Sequence, residues 1–240
     1  MTMQAGISRN LQPIVTVIAL CLMVGSSIAA IIGLIPFTPS SPIPESVISV
    51  YGEQIRLDGT GLYARDSISC AAQARGQDLV TLLVGVPLLA IGVLRARRGC
   101  IRGKMLQSGA LGYLLYTYGS YAYLCMYNPL FLLYVTLFGL SLYGFIVAFR
   151  CFGETEVHLA LKTHFKRRLL SGYLIVMGVL LTLMWIARIV PSMIAGGPPV
   201  GLEQYTTLVI QASDLAIVVP AAVLTGILLL KQKPLGDCRS

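Results

Sequence analysis

Charge is scarce in this sequence. Asp, Glu, Lys and Arg supply 12% of the 240 residues, about half the roughly 25% of an ordinary soluble domain, which excludes a water-soluble fold whose helices each show a polar face. Histidine is scarcer still. The chain has two, His158 and His164, and their spacing suits neither a helical metal pair nor haem held between membrane helices. The six cysteines contain no Cys-x-x-Cys, which disfavours a thiol-redox membrane enzyme. A phosphate-binding glycine loop, a nucleophile elbow and an acidic metal cluster are also missing. ATP-driven and metal-dependent chemistry therefore have no support, and no cofactor or metal is expected.

What the chain does have is long apolar runs. Hydrophobic residues make up 56% of it, gathered in six blocks at residues 12–35, 77–95, 105–126, 129–149, 169–191 and 205–230. Each approaches or exceeds the ~20 residues that cross about 30 Å of hydrocarbon at 1.5 Å per residue. Lipid offers the backbone no hydrogen-bond partner, so each block is a helix or a barrel strand. Continuous runs of this length exclude strands, which alternate over about 10 residues. The expected fold is an all-α membrane protein, a six-transmembrane-helix bundle in a single polytopic domain over residues 1–240. The first block is read as a retained span; it is long for a signal peptide and lacks a small-x-small exit.

Basic residues orient the spans. Arg9, then Arg95, Arg97, Arg98, Arg102 and Lys104, then Arg150, Lys162, Lys166, Arg167 and Arg168, then Lys231, Lys233 and Arg239 all fall on one side. Arg56, Arg65 and Arg75 fall on the other, among Glu45, Glu53, Asp58 and Asp66. The pattern puts both termini in the cytoplasm of a bacterial-type inner membrane. The net charge of +8 then reflects topology and anionic headgroups, and nucleic acid is not an expected partner.

Residues 36–76 form an external cap, too short for an independent domain. Its first part is Pro/Ser-rich and extended. Asp58-Gly59, between Val47–Tyr51 and Leu62-Tyr63, signals a short β-hairpin. Met126-Tyr127-Asn128-Pro129 joins the third and fourth helices as a tight antiparallel pair. Residues 150–168 read as a basic amphipathic segment at the inner interface. The two halves of three spans show no similarity to each other, so an inverted repeat of the transporter kind has no sequence backing.

Ionisable groups at membrane depth are costly and often functional. Asp214 sits in the last span, with Thr207, Gln211 and Thr225 on one helical face. Arg188, after Trp185, lies near the outer end of the fifth. Gln73, Gln77 and Thr81 share a face at the start of the second span, where Asp78 would lie in the first turns, favoured by the helix dipole, with Ser67 or Ser69 as cap. The third span carries a tyrosine stripe of Tyr113, Tyr116, Tyr123 and Tyr127, with Tyr118 and Tyr121 directed elsewhere. Cys70 and Cys125 both belong near the outer surface, where a disulfide is permitted.

The preferred reading gathers Gln77, Asp78, Tyr116, Tyr123, Arg188, Gln211 and Asp214 into an outward-facing polar pocket under the cap. It would bind or transport a small polar or amphipathic molecule or a lipid, with Asp214 as counter-ion and Arg188 as anion clamp. Two other classes compete. One is an accessory subunit of a membrane complex, its polar residues only stapling helices together and its partner another membrane protein. The other is a membrane enzyme acting on a lipid-linked substrate, with Asp78 or Asp214 as general base.

Overall fold

In the computed structural model the chain is described over residues 2–153 and 167–231, with side chains from Leu11 onward. The expected basic amphipathic segment, with His158 and His164, and the end of the tail lie outside the described residues. Within them the chain is helical, with one two-stranded sheet. The helices are α1 (Thr2–Leu34), α2 (Ile68–Val80), α3 (Val86–Arg97), α4 (Ile101–Tyr123), α5 (Phe131–Arg150), α6 (Arg167–Ala195), α7 (Val209–Ser213) and α8 (Val219–Lys231). α2 runs into α3, and α7 into α8, through five-residue π-helical turns, Thr81–Gly85 and Asp214–Val218. The protein is thus an all-α membrane protein with a small cap.

Five of the expected spans are long and apolar enough to cross a membrane: Leu11–Leu34, Ile68–Arg97, Phe131–Arg150, Arg167–Ala195 and Val209–Lys231. The sixth, α4, has 23 residues, ample for about 30 Å of hydrocarbon, but is more polar. Its polar groups point inward: Lys104, Gln107, Ser108 and Thr117 are all buried. α4 packs between α3 and α5, so these polar groups are turned away from lipid and do not count against a span.

Both π-turns end directly before Val-Pro, at Val86-Pro87 and Val219-Pro220. Proline has no amide hydrogen and its ring strikes the carbonyl four residues back, so the preceding turn widens by one residue. The amides of Val86 and Val219 accordingly reach back five residues, to the carbonyls of Thr81 and Asp214.

The second span begins earlier than its apolar run. Ser67 caps α2, its hydroxyl accepting the Cys70 amide hydrogen at 3.2 Å, so residues 68–76 belong to the helix and not to the cap. The cap hairpin exists, but its strands are β1 (Ser46–Ile48) and β2 (Gln54–Arg56). Its turn is organised by Ser49, whose hydroxyl accepts the amides of Tyr51 and Glu53, and by Gly52 at φ +84°, a left-handed conformation that glycine adopts without steric cost. Asp58-Gly59 turns the chain elsewhere, between Leu57 and Ser67, which form an isolated antiparallel bridge.

The chain divides into two compact units, residues 1–47 with 54–162, and residues 48–53 with 163–240. In the first, α1, α3, α4 and α5 enclose a core containing Ala19, Leu22, Leu89, Leu111, Leu114 and Leu137. Gly92 lets α3 approach the backbone of Gln107 so closely that a Cβ would sit 2.7 Å from its nitrogen. In the second, α6 and α8 pack through Gly178 against Val223 and through Gly226 against Ile175. The Ser171 hydroxyl donates to the Gly226 carbonyl across this contact. Small residues at such crossings replace the hydrophobic drive that lipid cannot supply.

A buried carboxylate as candidate functional site

Asp78 lies eleven residues into α2, well past the first turn, so the helix dipole does not hold its charge. It is 1% exposed. Tyrosine hydroxyls do the holding instead. Tyr63 donates to Oδ2 at 2.7 Å and Tyr121 to Oδ1 at 3.0 Å. The Tyr121 hydroxyl also lies 2.8 Å from the Ala74 carbonyl, and the Tyr134 hydroxyl lies 3.4 Å from that of Tyr63. The rings support one another: Tyr121 meets Tyr63 edge-on at 6.1 Å and Tyr134 at 5.1 Å, and Tyr118 stacks on Tyr134 at 6.1 Å. Burial pushes the Tyr63 hydroxyl far above its ordinary value, which keeps it a donor. On the α1 side, Gly33 leaves the space that the Asp78 carboxylate occupies; a Cβ there would overlap Oδ2.

One helical position earlier, Gln77 donates to the Tyr113 hydroxyl at 2.8 Å and to the Thr117 hydroxyl at 2.9 Å. Thr81, the first residue of the π-turn, lies 2.8 Å from the Tyr113 hydroxyl through its own. The π-turn brings Gly85 against the Tyr113 ring, where a Cβ would approach a ring carbon to 2.6 Å. Deleting a side chain at Gly85 is therefore what lets Tyr113 reach both polar groups.

The loop between the hairpin and α2 is tied to the helices by charge. Arg75 of α2 grips Asp58 with both guanidinium ends, at 2.9 Å and 2.5 Å, and reaches the Thr60 carbonyl at 3.1 Å. These bonds hold the Asp58 carboxyl below its ordinary value, the Arg75 hydrogen bond being the largest cause. Asp66, buried, accepts the Met126 amide hydrogen at 2.9 Å and so joins this loop to the α4–α5 connection. Cys70 and Cys125 lie at the same junction. Their sulfur atoms and an Asp66 carboxylate oxygen all lie within 4.8 Å of one another, the spacing of a potential metal-ligand set.

In the second unit, Asp214 opens its π-turn and is 7% exposed. The Trp185 indole N–H donates to its Oδ2 at 2.9 Å. The Arg188 guanidinium lies over the same ring, 5.8 Å from its centroid, and its Nε donates to the Val200 carbonyl at 2.7 Å. One indole thus bridges a carboxylate and a cation. Gln211 is buried in α7. Thr207 precedes the helix and Thr225 is exposed, so the expected four-residue face does not form. The extra residue of the π-turn rotates everything after Asp214 out of the 100° phase.

Of the residues singled out in the sequence, the structure brings Gln77 and Asp78 together on α2, and Arg188 and Asp214 around Trp185. The tyrosines on Asp78 come from Tyr63 and from the α4 face of Leu114, Tyr118 and Tyr121. Tyr116 and Tyr123 are 38% and 67% exposed, and Tyr123 stacks edge-on against Phe138 at 5.6 Å. Sequence reasoning missed Tyr63, Tyr121 and Tyr134. The signal for Tyr121 was present: Leu111, Leu114, Tyr118 and Tyr121 recur at i, i+3, i+7 and i+10, the inward face of α4. Tyr63 carried no such signal, because its loop has no helical period. No known protein family, curated protein or solved structure matches this chain.

Proposed function

We propose that this is a multi-pass inner-membrane protein, both termini cytoplasmic, that binds a small polar or amphipathic molecule entering from the outer face. Asp78 is the polar centre of its site. The observation that carries this reading is the seat of Asp78: a buried carboxylate in a helix long and apolar enough to cross a membrane, held among the described residues by tyrosine hydroxyls, one of them delivered by the loop that follows the cap hairpin. Buried carboxylates in spans are expensive and mark ligand or proton sites by default. A ligand presenting a cation or a hydrogen-bond donor can replace the Tyr63 hydroxyl on Oδ2 without leaving the carboxylate unpaired. Movement of the 57–67 loop then opens the site, and Gln77 beside it supplies a second polar contact. Arg188, Gln211 and Asp214 are candidate ligand contacts within the second unit by itself, and in the first unit the exposed rings of Tyr116 and Tyr123 suit the apolar part of an amphipathic molecule.

Native mass spectrometry of gently extracted protein tests the proposal, wild type against Asp78→Asn. A bound mass that is lost in the variant, with folding retained, supports it. The same ligand-free species for both proteins, with ligand transport also absent in vesicles, refutes it. A second reading, an accessory subunit of a membrane complex, draws on the second unit. Its two spans have 11% of their most apolar window buried, against 39% in α1, so they offer wide apolar faces to lipid or to partner helices. An enzyme using Asp78 as general base is least supported, because both carboxylate oxygens already accept hydroxyl protons.

A further inference from the structure

The junction of Asp66, Cys70 and Cys125 lies outside the Asp78 site and carries its own chemistry. Cys70 stands in the first turn of α2, directly after the Ser67 cap. Cys125 stands in the connection between α4 and α5. Asp66 already ties these two places together through the Met126 amide. The two sulfurs lie within 4.8 Å of each other, and the Cys125 thiol is in hydrogen-bond contact with Cys70. Little movement separates this arrangement from a covalent bond.

We propose that Cys70 and Cys125 form a disulfide that locks the start of α2, and with it the 57–67 loop and Tyr63, to the α4–α5 connection. It rests on the outward placement of the cap in the proposed function, since such bonds form and persist only in an oxidising compartment. The chemistry is thiol–disulfide exchange with an oxidised dithiol protein of that compartment. The Cys70 thiolate attacks the acceptor's disulfide and expels one acceptor thiolate, giving a mixed disulfide. The Cys125 thiolate then attacks Cys70 Sγ and expels the second. Two protons leave the cysteines, and the acceptor's disulfide is reduced to two thiols. Cys70 stands in the first turn of α2, where the helix amides favour a thiolate, so Cys70 makes the first attack and Cys125 resolves it.

The test uses the full chain in intact cells. Cells are quenched in acid, the protein is unfolded and treated with N-ethylmaleimide without reductant, and peptides are read by mass spectrometry. The expected result is a linked pair of Cys70 and Cys125 peptides, lighter by two hydrogens than the two thiol peptides together; after reduction each takes one maleimide. Cys70→Ser should make Cys125 react without reduction. Maleimide on both cysteines of the unreduced wild type overturns the proposal. So does one zinc ion per chain in purified protein whose two thiols remain reduced, which would make the trio a metal site. A parallel sample treated with a membrane-impermeant maleimide reads Cys100, on the opposite, basic side. If Cys100 is labelled before lysis, the orientation is wrong. If Cys100 is protected while Cys70 and Cys125 are free thiols, the disulfide alone falls.

Discussion

Replacing Tyr63 by Phe isolates one hydroxyl in the Asp78 site. The ring stays, so its edge-on packing against Tyr121 is retained and no cavity opens. What is lost is the 2.7 Å hydrogen bond to Oδ2 and the 3.4 Å contact with the Tyr134 hydroxyl. A buried hydrogen bond contributes about 1 kcal/mol net, and a buried acceptor left unpaired costs about 1–3 kcal/mol in desolvation. Water is excluded here, since Asp78 and Tyr63 are both almost wholly buried. A loss of about 2 kcal/mol follows, and for a chain of this size each kcal/mol moves Tm by about 2–4 °C. The expected drop is therefore about 4–8 °C in detergent, followed by near-ultraviolet circular dichroism. Tyr121→Phe should act through the same carboxylate, so the double variant should lose less or more than the two single losses combined. A Tm for Tyr63→Phe within about 1 °C of wild type, or strict additivity, would refute the claim that Asp78 is held by these two hydroxyls.

Three further outcomes are expected. Gly33→Ala drives a methyl into the Asp78 carboxylate and the Tyr63 hydroxyl and should cost about 1–3 kcal/mol of stability; Gly139→Ala, which meets nothing within 4 Å, should cost far less in the same unfolding assay. The Asp58–Arg75 pair should respond to acid. Asp58 titrates below its ordinary value in the folded chain, so the pair's contribution is full above about pH 4 and is lost as pH falls through the lowered folded value. With Arg75 30% and Asp58 12% exposed, about 1 kcal/mol is at stake, and the Tm gap between wild type and Asp58→Asn should narrow as the pH is lowered below about 4. Finally, the amides of Gly103 and Arg102, with Arg95 and Arg102 nearby, lower the exposed Cys100 thiol; at neutral pH it should alkylate faster than the same cysteine in an unfolded peptide, read by timed maleimide labelling.

Some of this protein was determined by the sequence alone. The helical class and the rough position of the long apolar helices followed from block length, because lipid punishes every unpaired backbone group within the span that carries it. That constraint is local and can be read residue by residue. It identified α4 by length even though Lys104 and Gln107 dilute its apolar character, and it marked Gln77, Asp78, Arg188 and Asp214 as costly groups. A serine cap for α2 was legible too, at Ser67 or Ser69, since capping acts over three residues, and the structure takes Ser67.

Only the tertiary structure decided which partners those costly groups take. Tyr63 stands 15 positions from Asp78 in the sequence and Tyr121 43, and both reach it through contacts that no helical period encodes. The cap turn moved to Ser49 and Gly52 because side-chain hydrogen bonds outweighed the Asp-Gly signal. Two prolines each widened one helical turn by one residue and shifted the faces beyond them, so Thr225 left the stripe that a regular helix would have given it. The physical reason is one of range. Solvent preference acts on each segment separately, whereas a buried charge is satisfied by whatever donor the packing of distant segments brings within about 3 Å of it.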